Sequence, residues 1–298
     1  MENREASARE ESGIQPITDR EFSLFQELIY KEAGIYLSQA KKPLLVGRLM
    51  RRLRELGLPS FKAYYHRIID EGDAERVYLL DAISTNETHF FREPRQFEFL
   101  EQKLLPEWAR EADLGRRPRL IRVWSAGCSS GEEPYSLAMT LLFHFPFGSG
   151  WQIEILATDL STRMLERARR AIWPIEKANE IPSRFLKPFM LRGTRSQEGK
   201  IKAGPEIRSI VRFERFNLNE TVYPFPGPFD LLFCRNVLIY FDTQSKQRVI
   251  DRLLRCLSPT GHLFIGHAES LAGMGDRVRN VLPTIYMKGR SVEGDQRS

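Results

Sequence analysis

The stretch from Leu120 to Ser136 reads LIRVWSAGCSSGEEPYS. Its mostly apolar beginning, Leu120–Trp124, predicts a short strand, and the small residues Ser125–Gly131 predict a turn. We expect a helix from Glu132 to about Phe143. A glycine-containing turn between a first strand and its helix is typical of sheets that bind a ligand there, because a ligand can approach the backbone closely.

The same alternation continues downstream of this stretch. Ile153–Ala157 predicts a second strand that ends at Asp159, and Ser161 can cap the helix that follows. The apolar positions of that helix are Met164, Leu165, Ala168 and Ile172. Because strands and helices alternate along the chain, we predict a parallel sheet.

Three further segments extend this pattern toward the C-terminus. Phe229–Cys234 predicts a buried strand, and a helix is expected from about Thr243 to Leu257. A turn at Pro259–Gly261 then precedes a strand at His262–Ile265. The predicted fold class is therefore α/β, with a Rossmann-like sheet.

One region, from Ile181 to Phe216, interrupts the alternation. Short segments lie there between Gly and Pro turns, namely Phe189–Leu191, Lys200–Lys202 and Ile210–Phe213. Such segments favour short antiparallel strands. We predict a small inserted antiparallel β subdomain at about residues 181–216.

The region from Thr18 to about Asp81 has helical periodicity instead. Its apolar residues recur at spacings of three and four, as in Phe22, Phe25, Leu28 and Ile29, and again in Leu45, Leu49, Leu53 and Leu56. Glycines at positions 34, 57 and 72 predict helix ends. We predict an all-helical N-terminal domain over residues 15–83 and an α/β domain over residues 84–298.

The composition is that of an ordinary globular protein, with 298 residues, 42% of them hydrophobic and 28% charged. The three cysteines, Cys128, Cys234 and Cys256, form no CxxC pair, so neither a disulfide framework nor a thiolate zinc cluster is expected. No metal is predicted. No signal peptide and no run of about 18 apolar residues is recognisable, which predicts a cytoplasmic protein without membrane insertion.

Positive charge is concentrated in one part of the sequence. Lys41–Arg67 holds eight basic residues and one acid, Glu55, within a chain of net charge +6. Leu45, Leu49, Leu53 and Leu56 form an apolar stripe, while Arg48, Arg51, Arg52 and Arg54 lie elsewhere on the same helix. These four arginines are either a solvated helix face or a docking surface for acidic substrate helices.

The glycine spacing Gly127-x-x-x-Gly131 is neither a dinucleotide fingerprint nor a P-loop, because Glu132 stands where a P-loop has lysine. Glu132 and Glu133 would repel a phosphate at the helix N-terminus. S-adenosylmethionine, which is cationic and has no phosphate, suits them better. Asp159 lies where an acid can bind both ribose hydroxyls. Alternatively, the two glutamates only favour the first helical turn and Asp159 only starts a turn.

Three longer motifs occur in order along the chain. Ser84–Arg92 reads STNETHFFR, Val123–Ser136 reads VWSAGCSSGEEPYS, and Phe233–Phe241 reads FCRNVLIYF. Together with the closing segment Gly266–Ser270, which reads GHAES, they resemble the chemotaxis receptor methyltransferases of the CheR type. The resemblance extends from about residue 18 to residue 288.

The resemblance implies a set of site residues. Glu133 would contact the ammonium of S-adenosylmethionine and Asp159 its ribose, and Arg92 and Tyr240 would be the catalytic residues that face the methyl group. The complete set of implied cofactor-binding residues is Asn86, Thr88, Arg92, Gly127, Glu133, Asp159, Asn217, Leu218, Arg235 and Asn236. Asn217 and Leu218 would flank the adenine.

The resemblance also implies the reaction, which is methylation of glutamate side chains in the cytoplasmic helices of chemoreceptors, with S-adenosylhomocysteine as the second product. A glutamate with a pKa of about 4.3 is already ionised at neutral pH, so no general base is required. Aligning the reactants is then the main task, and Arg92 can hold the carboxylate. A receptor C-terminal tail peptide is a further possible partner, at the inserted β subdomain.

Two other functions compete with this one. A nucleic-acid methyltransferase would use the basic patch, but the sequence has no Asn-Pro-Pro-Tyr or Asp-Pro-Pro-Tyr element and no Pro-Cys nucleophile. A non-enzymatic adaptor could bind the cofactor and receptors without transferring a methyl group. We therefore expect no nucleic-acid partner and a protein-glutamate O-methyltransferase.

Overall fold

The computed structural model describes residues 14–84 and 86–289. Thr85, which belongs to the first motif, and residues 290–298, which end the predicted second domain, lie outside the described residues. The chain divides into two compact units. Among the described residues, the first unit contains those up to Ser84 together with Tyr240–Asp242, and the second contains Asn86–Ile239 and residues 243–289.

The first unit is helical, as the spacing of its apolar residues predicts. Its α-helices within the described residues are α1 (Asp19–Ala33), α2 (Lys42–Glu55), α3 (Phe61–Glu71) and α4 (Asp73–Ile83), with a 3-10 turn at Gln39–Lys41. Helix α1 begins with a capping box, in which Thr18 and Glu21 each bond the other's backbone N–H. It ends at Gly34, whose φ of 69° favours glycine.

The apolar faces of these helices form the core of the first unit. Phe22, Phe25 and Tyr64 are fully buried. The ring of Phe25 also meets Tyr65 edge to face, with 5.7 Å between the ring centroids. Helices of 11 to 15 residues are marginal in isolation, so this burial is what stabilises them.

The segment Tyr240–Asp242 is distant in sequence from the helices of the first unit, but its contacts place it in that unit. Tyr36 N donates a hydrogen bond to the carbonyl of Tyr240 over 2.8 Å. Phe241 forms an antiparallel bridge with Ile35. The third motif therefore begins in the second unit and ends in the first.

The second unit contains two sheets and several helices. Its strands are β1 (Leu120–Ala126), β2 (Gln152–Asp159), β3 (Ile172–Pro174), β4 (Met190–Arg192), β5 (Lys200–Ala203), β6 (Val211–Arg215), β7 (Phe229–Cys234), β8 (Leu257–Ile265), β9 (Val278–Leu282) and β10 (Ile285–Lys288). Its α-helices are α5 (Pro94–Phe99), α6 (Leu105–Asp113), α7 (Glu132–His144), α8 (Thr162–Arg170), α9 (Ser183–Phe189), α10 (Pro205–Ser209) and α11 (Thr243–Cys256). A π-helical turn, Leu100–Leu104, joins α5 to α6.

The main sheet has seven strands in the order β6-β2-β1-β7-β8-β10-β9. The first five of these run parallel, and β10 and β9 pair antiparallel at the end. Val123 of β1 lies between Ile155 of β2 and Leu231 of β7, and all three side chains are buried. The predicted α/β class with a Rossmann-like sheet is confirmed. Ligands of such sheets bind at the carboxyl ends of the strands.

The small antiparallel sheet is also present, in the order β3-β5-β4. The small sheet begins at Ile172, earlier than the predicted start at about residue 181. The sequence spacing predicts Ile172 on the apolar face of the preceding helix, α8, and that prediction is wrong. Helix α8 ends at Ala171, whose φ of 54° lies in the left-handed region and turns the chain. No glycine marks this helix end in the sequence.

The assignment of Ile210–Phe213 to the inserted sheet is wrong. Residues 211–213 of this segment belong to β6, which pairs in parallel with β2 at one edge of the main sheet. An edge strand is only partly buried, so its residue pattern resembles that of a short antiparallel strand.

The turn predicted at Pro259–Gly261 lies within β8, at an irregularity where the register with β7 shifts. Along β7 the pairing advances from Phe229 to Leu231, while along β8 it advances from Leu257 to His262. The extra residues are accommodated without ending the strand. In the part of the chain that the structure describes, no helix is long and apolar enough to cross a membrane.

Candidate active site

The turn after β1 is tightly packed because its two glycines are approached by other parts of the second unit. Gly127 has a φ of 90° and Gly131 a φ of 98°. A Cβ at Gly127 would lie 2.3 Å from Cγ2 of Val237, and a Cβ at Gly131 would lie 3.0 Å from Cβ of Ala168. Glycine is therefore required at both positions by conformation and by space.

A buried ion pair joins the first turn of α7 to the end of β7. Arg235 Nε donates to Glu133 Oε2 over 2.6 Å, and Ser125 Oγ donates to Glu133 Oε1 over 2.7 Å. The side chain of Arg235 is 2% exposed and that of Glu133 is 9% exposed. Since a carboxylate can accept about four hydrogen bonds, Glu133 retains capacity for a cationic ligand.

The same arginine fixes the segment that carries Arg92. Arg235 Nη1 donates to the carbonyl of Arg92 over 2.5 Å and to Gln96 Oε1 over 3.2 Å. Gln96 Nε2 in turn donates to the carbonyl of Ile265 over 2.8 Å. The guanidinium of Arg92 donates to the carbonyl of Glu87 over 3.1 Å, and its five N–H donors leave further ones for a carboxylate.

Asp159 connects the glycine turn to the turn after β2. Its two carboxylate oxygens accept the backbone N–H groups of Ser129 and Ser161, each over 2.8 Å. Ser129 has a φ of 49°, and its Oγ donates to the carbonyl of Asn86 over 3.1 Å. Asp159 therefore holds the turn in shape and brings the backbone of Asn86 beside it.

Asn217 and Leu218 follow the end of β6, next to Asp159. Phe216 N donates to the carbonyl of Asp159 over 3.0 Å. Asn217 Oδ1 accepts Asn219 N over 3.0 Å, and the carbonyl of Leu218 accepts the Tyr223 hydroxyl over 2.7 Å. These bonds give the predicted adenine-flanking pair a defined backbone.

Thr88 is held by the 3-10 turn Ile175–Glu180 that follows β3. Lys177 Nζ donates to the carbonyl of Thr88 over 3.1 Å, and Phe90 N donates to Glu180 Oε2 over 2.9 Å. Lys177 and Glu180 are themselves paired at 2.8 Å. The 3-10 turn after β3 thus supports the backbone of the first motif.

Most of the predicted residues therefore gather at the carboxyl ends of β1, β2, β6 and β7. Each residue of this group, or a direct neighbour of it in sequence, is connected to another part of the site by a hydrogen bond or by close packing. The group consists of Asn86, Arg92, Gly127, Glu133, Asp159, Asn217, Leu218, Arg235 and Asn236. Tyr240 belongs to the first unit, where Lys41 Nζ lies 5.7 Å from its ring centroid. The individual roles of these residues stay predictions.

Two of the four patch arginines have structural contacts inside the first unit. Arg48 Nη1 donates to three carbonyls at the end of α4, those of Ala82, Ile83 and Ser84, over 3.1, 2.6 and 2.7 Å. It therefore caps that helix. Arg52 forms an ion pair with Glu75, whose side chain is 8% exposed.

The other two arginines, Arg51 and Arg54, are exposed. Arg51 pairs with Glu55 one helical turn later, with 2.8 Å between Nε and Oε1, and its side chain is 84% exposed. Glu55 raises the pKa of Arg51 through a hydrogen bond and its charge. Glu55 offsets part of the charge of the arginines, so Arg51, Arg54 and Glu55 together, with two positive charges and one negative, leave this end of α2 with a net charge of +1.

The sequence interpretation missed the residues that hold the site together. Ser125 and Ser129 lie inside the second motif, but only the folded chain shows their bonds to Glu133, Asp159 and Asn86. Local spacing carries no signal for such contacts. A buried amide such as that of Gln96 becomes recognisable only with its partners.

The charge balance of the site favours a cationic ligand. Glu93, Glu132, Glu133 and Asp159 are buried, whereas Arg235 is the one buried lysine or arginine among residues 14–84 and 86–289. Burial raises the pKa of Glu132, which favours its neutral form, so the negative charge beside the turn is carried by Glu133 and Asp159. Burial together with the charge of Asp159 also raises the pKa of the Cys128 thiol, which keeps that thiol neutral. A phosphate would add negative charge, while the sulfonium and ammonium of S-adenosylmethionine would offset it. The residues present fit that cofactor.

The described residues contain no cluster of three His, Cys, Asp or Glu side chains that could hold a metal ion. What they do contain is a parallel sheet, a glycine turn after its first strand and carboxylates on both sides of that turn. This combination is characteristic of S-adenosylmethionine-dependent methyltransferases of the α/β class.

Comparison with known proteins narrows this class to a family. Residues 20–84 match the model for the CheR methyltransferase all-alpha domain, and residues 86–287 match the model for the CheR methyltransferase SAM binding domain. The chain belongs to the CheR methyltransferase family and is an S-adenosylmethionine-dependent methyltransferase. The resemblance seen in the three motifs is confirmed.

Full-length relatives agree with this assignment. The chain is 38% identical over 272 residues to the chemotaxis protein methyltransferase of Escherichia coli, covering 91% of each chain. It is 37% identical over 278 residues to chemotaxis protein methyltransferase 2 of Pseudomonas aeruginosa, covering 90% of this chain and 93% of that one.

We expect Asp159→Ala to weaken binding of S-adenosylhomocysteine roughly 10- to 150-fold, because a charge-assisted hydrogen bond to the ribose is worth about 1.5–3 kcal/mol. Titration calorimetry measures this affinity. Asp230→Ala is the matched control, since Asp230 on β7 also accepts a backbone N–H, from Arg122, over 2.9 Å. Unchanged affinity in a folded Asp159→Ala protein would contradict the ribose assignment.

Proposed function

We propose that the chain transfers methyl groups from S-adenosylmethionine to glutamate side chains in the cytoplasmic domains of chemoreceptors, giving glutamate methyl esters for sensory adaptation. The observation that carries this proposal is the match over 91% of both chains to a relative named chemotaxis protein methyltransferase. The cytoplasm is then the place of action, because the receptor domains that carry the glutamates lie there.

The chemistry suits a glutamate substrate. When bound, S-adenosylmethionine supplies an electrophilic methyl group and is converted to S-adenosylhomocysteine. The receptor carboxylate is ionised at neutral pH, since its pKa is about 4.3, so this chain needs no base to activate it. The task left to the protein is alignment of the carboxylate with the methyl group, and exclusion of water.

We assign binding and orientation to the residues gathered at the strand ends. Glu133 would hold the ammonium and Asp159 the ribose, while Asn86, Thr88, Gly127, Asn217, Leu218, Arg235 and Asn236 would complete the pocket. Arg92 would orient the substrate carboxylate by a charge-assisted hydrogen bond, and Tyr240 would face the methyl group. Support for Arg92 comes from its position, because its carbonyl is fixed by Arg235, the partner of Glu133.

Methyl transfer to a receptor tests this proposal. With methyl-labelled S-adenosylmethionine and receptor cytoplasmic fragments, we expect label in the receptor that alkali releases as methanol, because esters are hydrolysed by base. Receptor fragments with the acceptor glutamates changed to alanine serve as the control. Label in RNA would instead support a nucleic-acid methyltransferase, and cofactor binding without transfer to either would support an adaptor.

We propose that the basic face of α2 is the surface on which acidic receptor helices dock. The patch predicted from the sequence is Arg48, Arg51, Arg52 and Arg54, and its exposed members are Arg51 and Arg54. Arg48 and Arg52 would contribute charge, but their contacts with α4 make them poor test positions. Complementary charge of this kind acts mainly on encounter and on KM.

Reversing Arg51 and Arg54 together to glutamate should raise the KM for receptor several-fold and leave affinity for S-adenosylhomocysteine unchanged. Salt should raise the wild-type KM as well, because the screening length is about 10 Å at 0.1 M and shortens above it. The matched control reverses Arg167 and Arg170, two exposed arginines of α8. If neither salt nor the reversal of Arg51 and Arg54 changed the KM for receptor, the proposal that receptor helices dock on α2 would be wrong.

We propose that a receptor C-terminal tail, where the receptor has one, adds as a strand to an edge of the small sheet. Both edge strands of that sheet are short, and each exposes an apolar side chain, Ile172 on β3 at 40% and Leu191 on β4 at 54%. An extended peptide can pair with such an edge and cover such side chains.

Leu191→Asp should weaken binding of a synthetic tail peptide at least several-fold, because it places a charge where apolar contact is expected. Fluorescence anisotropy of the labelled peptide measures the affinity. Leu282→Asp is the matched control, since Leu282 is 43% exposed on β9, the edge strand of the main sheet. Equal effects of both changes would contradict docking at the small sheet.

A further inference from the structure

Glu269 carries a buried carboxylate that binds the backbone of two separate segments. Its Oε2 accepts Gly266 N over 2.6 Å and Asn236 N over 3.0 Å. Its Oε1 accepts Leu238 N over 2.7 Å and Ile239 N over 3.3 Å. The residue is 7% exposed. Four backbone donors therefore surround one negative charge, which is the arrangement that stabilises a buried carboxylate.

The two segments leave neighbouring strands at their carboxyl ends. Asn236–Ile239 follows β7, and Gly266 follows β8, which pairs in parallel with β7. A Cβ at Gly266 would lie 2.9 Å from Glu269 Oε2 and 2.7 Å from Asn236 Nδ2, so the approach requires glycine. The carboxylate thus joins two strand ends that the sheet hydrogen bonds no longer connect.

The turn that carries Glu269 is itself anchored to the residue that follows the first motif. His267 N donates to Glu93 Oε1 over 3.0 Å, and Glu93 directly follows Arg92. The turn at Gly266–Ser270 therefore bonds both to Glu93, directly after the first motif, and to the third motif.

The loop that Glu269 holds packs against the glycine turn of the candidate site. Asn236 adopts a φ of 59°, in the left-handed region that asparagine enters more readily than most residues. Val237 fills the space against Gly127 in the glycine turn, and Arg235 immediately before it pairs with Glu133. A shift of this loop would move the glycine-turn contact and the buried ion pair together.

We propose that Glu269 is a positioning residue for the cofactor site. Its carboxylate fixes the loop after β7 so that Arg235, Asn236 and Val237 stand in register with the glycine turn. It does not contact the reacting groups in this role. The turnover measurement depends on the proposed function, because it needs a receptor substrate. The measurement of cofactor affinity does not, because it needs no receptor.

Glu269→Gln is the decisive variant, because it keeps the size of the side chain and turns an amide NH2 toward backbone N–H donors. We expect the Kd for S-adenosylhomocysteine to rise about tenfold, because the loop after β7 would leave its place for most of the time and only the remaining fraction of molecules could bind. Turnover with saturating cofactor should fall about as much. Hydrogen exchange should accelerate in a peptide spanning residues 236–239 and remain unchanged in β1.

Asp230→Asn is the matched control, since Asp230 lies near the start of the same strand and also accepts a backbone N–H. It should lower the melting temperature without changing the Kd. If Glu269→Gln fails to fold, Glu269→Asp replaces it, because the shorter carboxylate cannot reach both segments and should also raise the Kd and the exchange rate.

A folded Glu269→Gln protein with a Kd within threefold of wild type and unchanged exchange at residues 236–239 would overturn the proposal, and Glu269 would then only stabilise the fold. Failure of the proposed function has a different signature, because the wild-type chain would then bind S-adenosylhomocysteine but transfer no methyl group to receptor.

Discussion

The buried ion pair between Arg235 and Glu133 is the interaction on which the rest of the site depends. An arginine that is 2% exposed must have its charge and its donors satisfied, or the fold would be strongly destabilised. Arg235 meets this requirement with Glu133, Gln96 and the carbonyl of Arg92. Three motifs that are far apart in sequence are thereby held at one end of the sheet.

After Arg235 has paired with Glu133, the site still holds more buried carboxylates than buried cations. Glu133 and Asp159 both carry buried carboxylates beside the glycine turn, and Arg235 is the one buried lysine or arginine among residues 14–84 and 86–289. A ligand with a sulfonium and an ammonium offsets such a field, whereas a dinucleotide would add to it. The fold alone accommodates many nucleotides, so it is this charge balance that selects among them.

The basic helix α2 shows how one charge run can serve two purposes. Arg48 and Arg52 are turned toward α4, where they bind helix-end carbonyls and a buried glutamate. Arg51 and Arg54 are exposed and can meet another molecule. A helix presents different faces at successive positions, so neighbouring arginines differ in role although their side chains are identical.

The sequence by itself determined the helical first unit, the parallel order of β1 and β2 and the positions of Glu133 and Asp159, because residue periodicity and turn residues are local signals. Only the tertiary structure decided that β6 joins the main sheet, that Ala171 ends α8, that Arg48 and Arg52 face inward and that Arg235 pairs with a residue 102 positions away. Buried charges require oppositely charged partners, and strand edges require hydrogen-bonding partners, when the chain packs. No local sequence pattern specifies which distant residue will be the partner.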